Sequence, residues 1–368
     1  MNLDIFKINK GIPSLDGIRA IAVSIVILSH AGFGDVIPGG FGVTLFFFLS
    51  GYLITHLLMT EHLLNNKVNI TGFFARRLIR ILPPLFIILT AFYILDHFLR
   101  PAVNYDSGGI LSQYFFMHNY YRVLIDGLTL PGSGVLWSLA VEEHYYIVFP
   151  FLFVLFFSLT NSRRKNEYLF ILALGSIALT TLLWRSYLYS KGASQDRIYF
   201  STDTRIDSIL YGAIFAVVFS RKKITPDLIL GKIDFIVLTL TAIAILMTFI
   251  FRNDEFRWVY RFSVQGLLLF PVFYYAIFYS KSRVFSILNS NTLQIIGVLS
   301  YAMYLSHAIL IHLAEDLLEL DEKAFIAIFS FFASLAVALV IYIYVERPLS
   351  SLRSKFNRKP KETLKKTS

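Results

Sequence analysis

Residues Ser14–His30, SLDGIRAIAVSIVILSH, set Asp16, Arg19 and His30 into an otherwise apolar run. The run reads as a helix crossing a bilayer, which takes about 20 mostly apolar residues. Arg19 and His30 lie eleven positions apart. At about 100° per residue both side chains leave the same face, about 16 Å apart along the axis. An Arg or Asp at the centre of such a helix costs on the order of 3 kcal/mol, so these residues tend to line a site or a water-filled cavity. The plainer alternative makes Arg19 a snorkelling anchor and His30 a hydrogen-bonded packing residue.

Composition extends the membrane reading to the whole chain. Of 368 residues, 56% are hydrophobic and only 16% charged, with mean hydropathy +0.63; soluble domains carry about 25% charge. The absence of cysteine excludes disulfides, thiolate metal sites and a cysteine nucleophile. The net charge of +10 falls in short basic clusters between apolar segments. That pattern reports membrane topology and argues against a nucleic-acid partner. Eight histidines offer no pair at metal-ligand spacing, so no metal is expected. No G-x-S-x-G elbow, H-E-x-x-H helix or Walker A loop is present. The opening MNLDIFKINKGIP lacks a signal-peptide pattern, so the first helix is expected to be retained.

By length and hydropathy about ten spans are expected, near 13–33, 40–60, 78–99, 136–158, 167–188, 203–220, 231–251, 258–280, 293–314 and 323–345. The predicted fold is therefore an all-α polytopic membrane bundle over 1–350. A basic cytoplasmic tail, 351–368, is expected to be disordered and to lie against anionic membrane lipid. With the N-terminus in the cytoplasm, every strong basic cluster falls inside: Lys7 and Lys10, Arg76 to Arg80, Arg163 to Lys165, Arg221 to Lys223, Lys281 and Arg283, and the tail. The positive-inside rule then places both termini in the cytoplasm. The long outer connection, about 100–135, is expected to cap a site. No internal repeat supports an inverted-repeat transporter.

Depth along each helix groups the remaining polar residues. Arg77 and Arg80 share a face at the cytoplasmic start of the third span, just before Pro83 and Pro84, which are expected to kink it. Three arginines entering from one side suit a phosphate-rich ligand or, more plainly, an interfacial anchor. Glu142 and Glu143 lie at the depth of His30, and one of them could fix the imidazole tautomer. Arg205 could pair with Asp203, Asp207, Glu142 or Glu143. Small residues in GGFGVTLFFFLSGYLI read as helix packing, His307 as a second candidate base or a satisfied core histidine, and Glu346-Arg347-Pro348 as a capping pair and a stop.

Taken in order, LDGIRAIAVSIVILSH, GVTLFFFLSGYLI, ARRLIRILPPL, LWSLAVEEHYYIVFP, TRIDSILYG, SYAMYLSHAIL and YVERPLS resemble the acyltransferase-3 family of integral-membrane O-acyltransferases over nearly the whole chain. Arg19 to His30 matches the family's Arg-x10-His pattern, and Arg77 to Arg80 its Arg-x-x-Arg pattern. His144 departs from it, standing where Gln is more usual. The extra C-terminal hydrolase-like domain of some members is also missing from this sequence, which implies transfer completed within the membrane domain. The resemblance implies a bacterial inner-membrane enzyme that moves an acyl group, usually acetyl, from cytoplasmic acetyl-CoA or another acyl-CoA. The acceptor would be a hydroxyl of an envelope saccharide or lipid-linked precursor. Arg19, Arg77 and Arg80 would hold the CoA phosphates, and His30 would act as general base with Glu142 or Glu143 beside it. Trp137, Arg205, Asp207 and His307 would contact substrate or the oxyanion, and His30 or Ser306 would carry any covalent acyl group. A transporter of an acyl donor or lipid-linked sugar would use the same charged cavity without bond chemistry.

Overall fold

The computed structural model describes residues 12–220, 222, 230–317 and 322–356, which form α-, 3-10 and π-helical segments with no strand among them. The elements are α1 (Pro13–Leu28), α2 (Gly39–Asn65), α3 (Ile70–Leu99), α4 (Ser107–Tyr114), α5 (His118–Leu124), α6 (Leu136–Ser158), α7 (Arg163–Ser190), α8 (Gln195–Phe200), α9 (Thr202–Phe219), α10 (Lys232–Ile250), α11 (Arg261–Phe278), α12 (Asn291–Leu317), α13 (Lys323–Ile341) and α14 (Arg347–Lys355). Among the described residues, nine helical stretches are long and apolar enough to cross a membrane. The sixth expected span, α9, is not one of them; it is 18 residues long and opens with Asp203, Arg205 and Asp207. Most of its residues are buried, so its charge is answered by protein and not by lipid. The molecule is an all-α polytopic membrane bundle.

α2 is largely buried and packs chiefly against α9 and α1. The α2–α9 crossing is made by two glycines. A Cβ on Gly51 would lie 1.9 Å from the Ile209 carbonyl oxygen, and one on Gly212 would lie 1.9 Å from that of Phe48. Small residues let the backbones touch, the main route to tight helix association where no hydrophobic force separates helix from lipid. α10 lies at the other extreme: of its 19 residues only Thr241 and Thr248 are buried.

Three expectations change on folding. α3 starts at Ile70, eight residues earlier than the expected 78, and runs through Pro83 and Pro84 as one helix to Leu99. Beside the proline pair, the Tyr301 hydroxyl donates to the Ile81 carbonyl at 2.9 Å. The last span does not stop at Glu346-Arg347-Pro348, and no Glu346–Arg347 ion pair forms. A π segment, Tyr342–Glu346, leads directly into α14. Proline has no N–H and its ring crowds the carbonyl four residues back, a demand that the wider π turn accommodates. The first residues of the tail expected to be disordered are therefore helical as far as Lys355, and residues from 357 lie outside the described ones, as do Lys7, Lys10, Arg221 and Lys223.

Candidate active site

Two cavities lie end to end inside the bundle. The first, about 100 Å³, is lined by Arg19, Ser50, Arg77, Arg80, Glu142 and Tyr146, among others. Arg77 and Arg80 reach it together because their spacing on α3 puts them on one face. The Glu142 carboxylate accepts hydrogen bonds from Ser50 Oγ at 3.0 Å and the Tyr146 hydroxyl at 2.7 Å. Arg77 lies 4.8 Å from the centre of the Tyr146 ring, a cation–π contact. Arg19 pairs with Asp16 at 3.2 Å. Three guanidinium groups thus face a single lining carboxylate. The imbalance suits a polyanion.

The second cavity, about 620 Å³, is lined by His30, His118, Arg122, Trp137, Tyr199 and His312, among others. Much of its wall comes from residues 118–135, so the long connection does cap it, using α5 and the loop that follows. His118 Nδ1 lies 3.3 Å from Ser112 Oγ. Burial, with Arg122 nearby, pushes the His118 pKa down to about 4, so its ring is neutral near pH 7.

Val43 and Tyr304 line both cavities and form the septum between them. The Tyr304 hydroxyl lies 2.7 Å from Ser138 Oγ and 3.1 Å from the Val135 carbonyl. His30 stands beyond the septum, in a π segment, Ser29–Phe33, that follows α1. Gly32 in that segment has φ +94°, a left-handed conformation that glycine adopts freely.

The partner of His30 is a second imidazole. His30 Nδ1 and His307 Nε2 are 3.1 Å apart, and His307 Nδ1 is 2.7 Å from the Tyr304 carbonyl. A carbonyl only accepts, so His307 Nδ1 carries a proton and, in the neutral ring, Nε2 does not. His307 Nε2 then accepts from His30 Nδ1–H. In the neutral ring this leaves the lone pair on His30 Nε2, on a residue that lines the second cavity.

Several expected partnerships do not form. Neither Glu142 nor Glu143 orients His30. Glu142 belongs to the arginine cavity, whereas Glu143 is buried with Oε1 unpaired. Asp207 does not meet Arg205 but is held by Arg185, at 3.0 and 3.2 Å, on a side chain that also reaches Ser263 Oγ and two carbonyls. Asp203 pairs with Arg197 and accepts from Trp184 and Tyr120. Arg205 is fully buried, and none of its three guanidinium nitrogens has a hydrogen-bond partner among the described residues. Aromatic rings enclose it instead: Phe262 at 3.8 Å, Tyr199 at 4.9 Å, Trp137 at 5.4 Å and Phe47 at 5.6 Å. It lines neither cavity. Ser306 is buried and turned onto the Ala302 carbonyl at 2.9 Å, away from both cavities. His144 bonds Thr202 Oγ1 at 2.7 Å and joins α6 to α9.

Ser50, Tyr146, His118 and Arg122 escaped the sequence reading, because hydroxyls and loop residues carry no penalty that singles them out. Arg185 did have a signal. It is a lone cation in the apolar run TTLLWRSYL, the same sign that marked Arg19.

A helical bundle with a guanidinium-rich cavity toward one end and an open imidazole toward the other is an integral-membrane protein with a divided polar site. The chain belongs to the acyltransferase-3 family, whose model, described as an acyltransferase domain, matches residues 12–345. It is 29% identical over 353 residues to a peptidoglycan O-acetyltransferase, OatA, of Listeria monocytogenes, covering 92% of this chain and 56% of that protein. It is 28% identical to an O-acetyltransferase, OatA, of Staphylococcus aureus, covering 92% of this chain and 57% of that one. The chain thus spans slightly more than half the length of these relatives. No solved structure matches it.

Proposed function

We propose that this protein moves an acetyl group from acyl-CoA on the cytoplasmic side of the bacterial inner membrane to a hydroxyl of an envelope glycan. Peptidoglycan is the acceptor class that the name of its Listeria relative suggests. The observation that carries the reading is the common septum. The arginine cavity and the His30 cavity meet at Val43 and Tyr304, so a thioester arm held by its phosphates among arginines would point at the imidazole.

The chemistry follows from the lone pair on His30 Nε2. It takes the proton of the acceptor hydroxyl as the oxygen attacks the thioester carbonyl. The carbon–sulfur bond then breaks, the CoA sulfur leaves, and the imidazolium returns the proton to it. The hydroxyls of Tyr304 and Ser138 are the donors nearest the septum, and in this reading they face the oxyanion. Tyr304 must turn away from the Val135 carbonyl for the thioester to pass. Trp137 and Tyr199 offer aromatic faces for a sugar ring in the outer cavity.

The test uses purified protein in detergent, radiolabelled acetyl-CoA and soluble peptidoglycan fragments. Labelled ester is expected from the wild type. His30→Ala, expressed at the same level, should lose about 100-fold or more of the rate. Transport has no meaning in detergent, so ester formation excludes a pure transporter. An inactive wild type, or an active His30→Ala, would sink the proposal.

A further inference from the structure

A third cavity, about 160 Å³, opens where α1 and α3 meet α14. Asp16, Arg19, Arg80, Glu346, Arg347 and Arg353 line it, and Arg19 and Arg80 also line the arginine cavity behind it. Four guanidinium groups from three separated parts of the chain therefore converge on one mouth. Two carboxylates oppose them, and the Arg19–Asp16 contact is the one ion pair formed by these six among the described residues. An ordinary interfacial anchor would spread its arginines toward lipid headgroups. Here they turn toward one another around a hollow, an arrangement that repels itself until an anion enters.

The mouth is held in place. The α13 helix continues through its π segment into α14, and Arg76 Nη1 donates to the Phe356 carbonyl at 2.6 Å. The same guanidinium pairs with Glu61 at 3.3 Å, which ties the end of α14 to α2 and α3. Arg353 lies three residues before that anchor, half-buried at the cavity wall.

We propose that α14 completes the donor site, with Arg347 and Arg353 binding the 3′-phosphate at the adenosine end of CoA. This rests on the acyl-CoA reading above. The order of groups along the bundle gives the assignment. From the mouth inward, Arg347 and Arg353 give way to Arg19 and Arg80, which line both the mouth and the arginine cavity, and beyond the septum to His30; Arg77 lines the arginine cavity alone. CoA carries its charge in the same sequence: a terminal phosphomonoester, a diphosphate, then an uncharged arm ending in the thioester. Guanidinium groups pair with phosphomonoesters in bidentate fashion, so the terminal phosphate should account for a distinct share of affinity.

The experiment titrates the full chain in detergent with CoA and with 3′-dephospho-CoA. The wild type should bind CoA about tenfold more tightly than the dephospho form. Arg347→Gln/Arg353→Gln should lower CoA affinity to the dephospho level and leave dephospho-CoA binding unchanged, which also shows that the variant is folded. Arg353→Lys should retain part of the preference. Equal wild-type affinity for the two ligands overturns the proposal. So does an equal loss for both in the double variant, which would mark a general field effect. Adding phosphatidylglycerol to the micelles tests the lipid source of the same chemistry. If it abolishes the CoA preference of the wild type at micellar concentrations, the mouth is a headgroup site and the proposal fails. If the wild type binds neither ligand, the acyl-CoA reading itself falls, and this inference with it.

Discussion

His30 and His307 show how much of an imidazole's proton arrangement is decided by its neighbour. A lone imidazole exchanges between two tautomers, and only one presents Nε2 as a base. The chain of donors from His30 to His307 to the Tyr304 carbonyl selects that tautomer. His307→Ala should therefore lower kcat by about tenfold or more while leaving donor KM unchanged. His307→Gln should recover part of kcat, because its amide oxygen accepts the same hydrogen bond; a shifted KM with intact kcat would remove His307 from the relay. The two buried arginines make the complementary point. Arg185 is fully satisfied by Asp207, Ser263 and two carbonyls, whereas Arg205 depends on aromatic faces. Sequence depth alone placed Arg205 and Asp207 together, because both sit near the start of α9. Depth is one coordinate, and the direction a side chain takes around the helix, together with what packs there, is the other.

At the scale of elements, close backbone approach and π segments set the geometry. The α2–α9 crossing brings the Gly51 and Gly212 backbones against each other's helix, and α2 also carries Ser50 to Glu142. Gly51→Val should destabilise the bundle by on the order of 1–3 kcal/mol, read as a lower thermal midpoint in detergent. Gly175→Ala on α7, where nothing lies within 4 Å of an added Cβ, is the control and should cost nothing. An unchanged midpoint in Gly51→Val would mean that the two helices are not in contact as described. The small residues of α2 were legible as packing, but Ser50 among them was not legible as a site residue. A serine is cheap to bury, and only the partner helix reveals its use. The π segments were not legible at all. Gly32 and Pro348 hinted at irregularity, yet a π turn depends on which carbonyls the surrounding helices leave unsatisfied.

For the whole molecule, the proposed division of labour between two cavities demands a fixed orientation in the membrane. The absence of cysteine makes this simple to test. Leu128→Cys on the exposed cap should react with an impermeant maleimide in intact cells, and Lys165→Cys should react only in inverted vesicles. The opposite labelling pattern would invert the topology and place the arginine mouth outside, away from cytoplasmic CoA. The positions of the spans were readable, because burying backbone in lipid requires about 20 apolar residues per crossing. α9 was the exception in kind. Its charges lower its hydropathy, and other helices enclose most of it.

Sequence by itself determined the class of fold, the approximate spans, the expected orientation and the isolated polar residues Arg19, His30, Arg77 and Arg80, since each is expensive in lipid and therefore conspicuous. Tertiary structure alone decided who meets whom. It gave His30 a histidine for a partner and not a glutamate, moved Glu142 to the arginine cavity, separated Arg205 from Asp207 and brought α14 to the mouth. The physical reason is that transfer cost is a property of a residue and its depth, whereas pairing depends on rotation and packing among helices far apart in the chain.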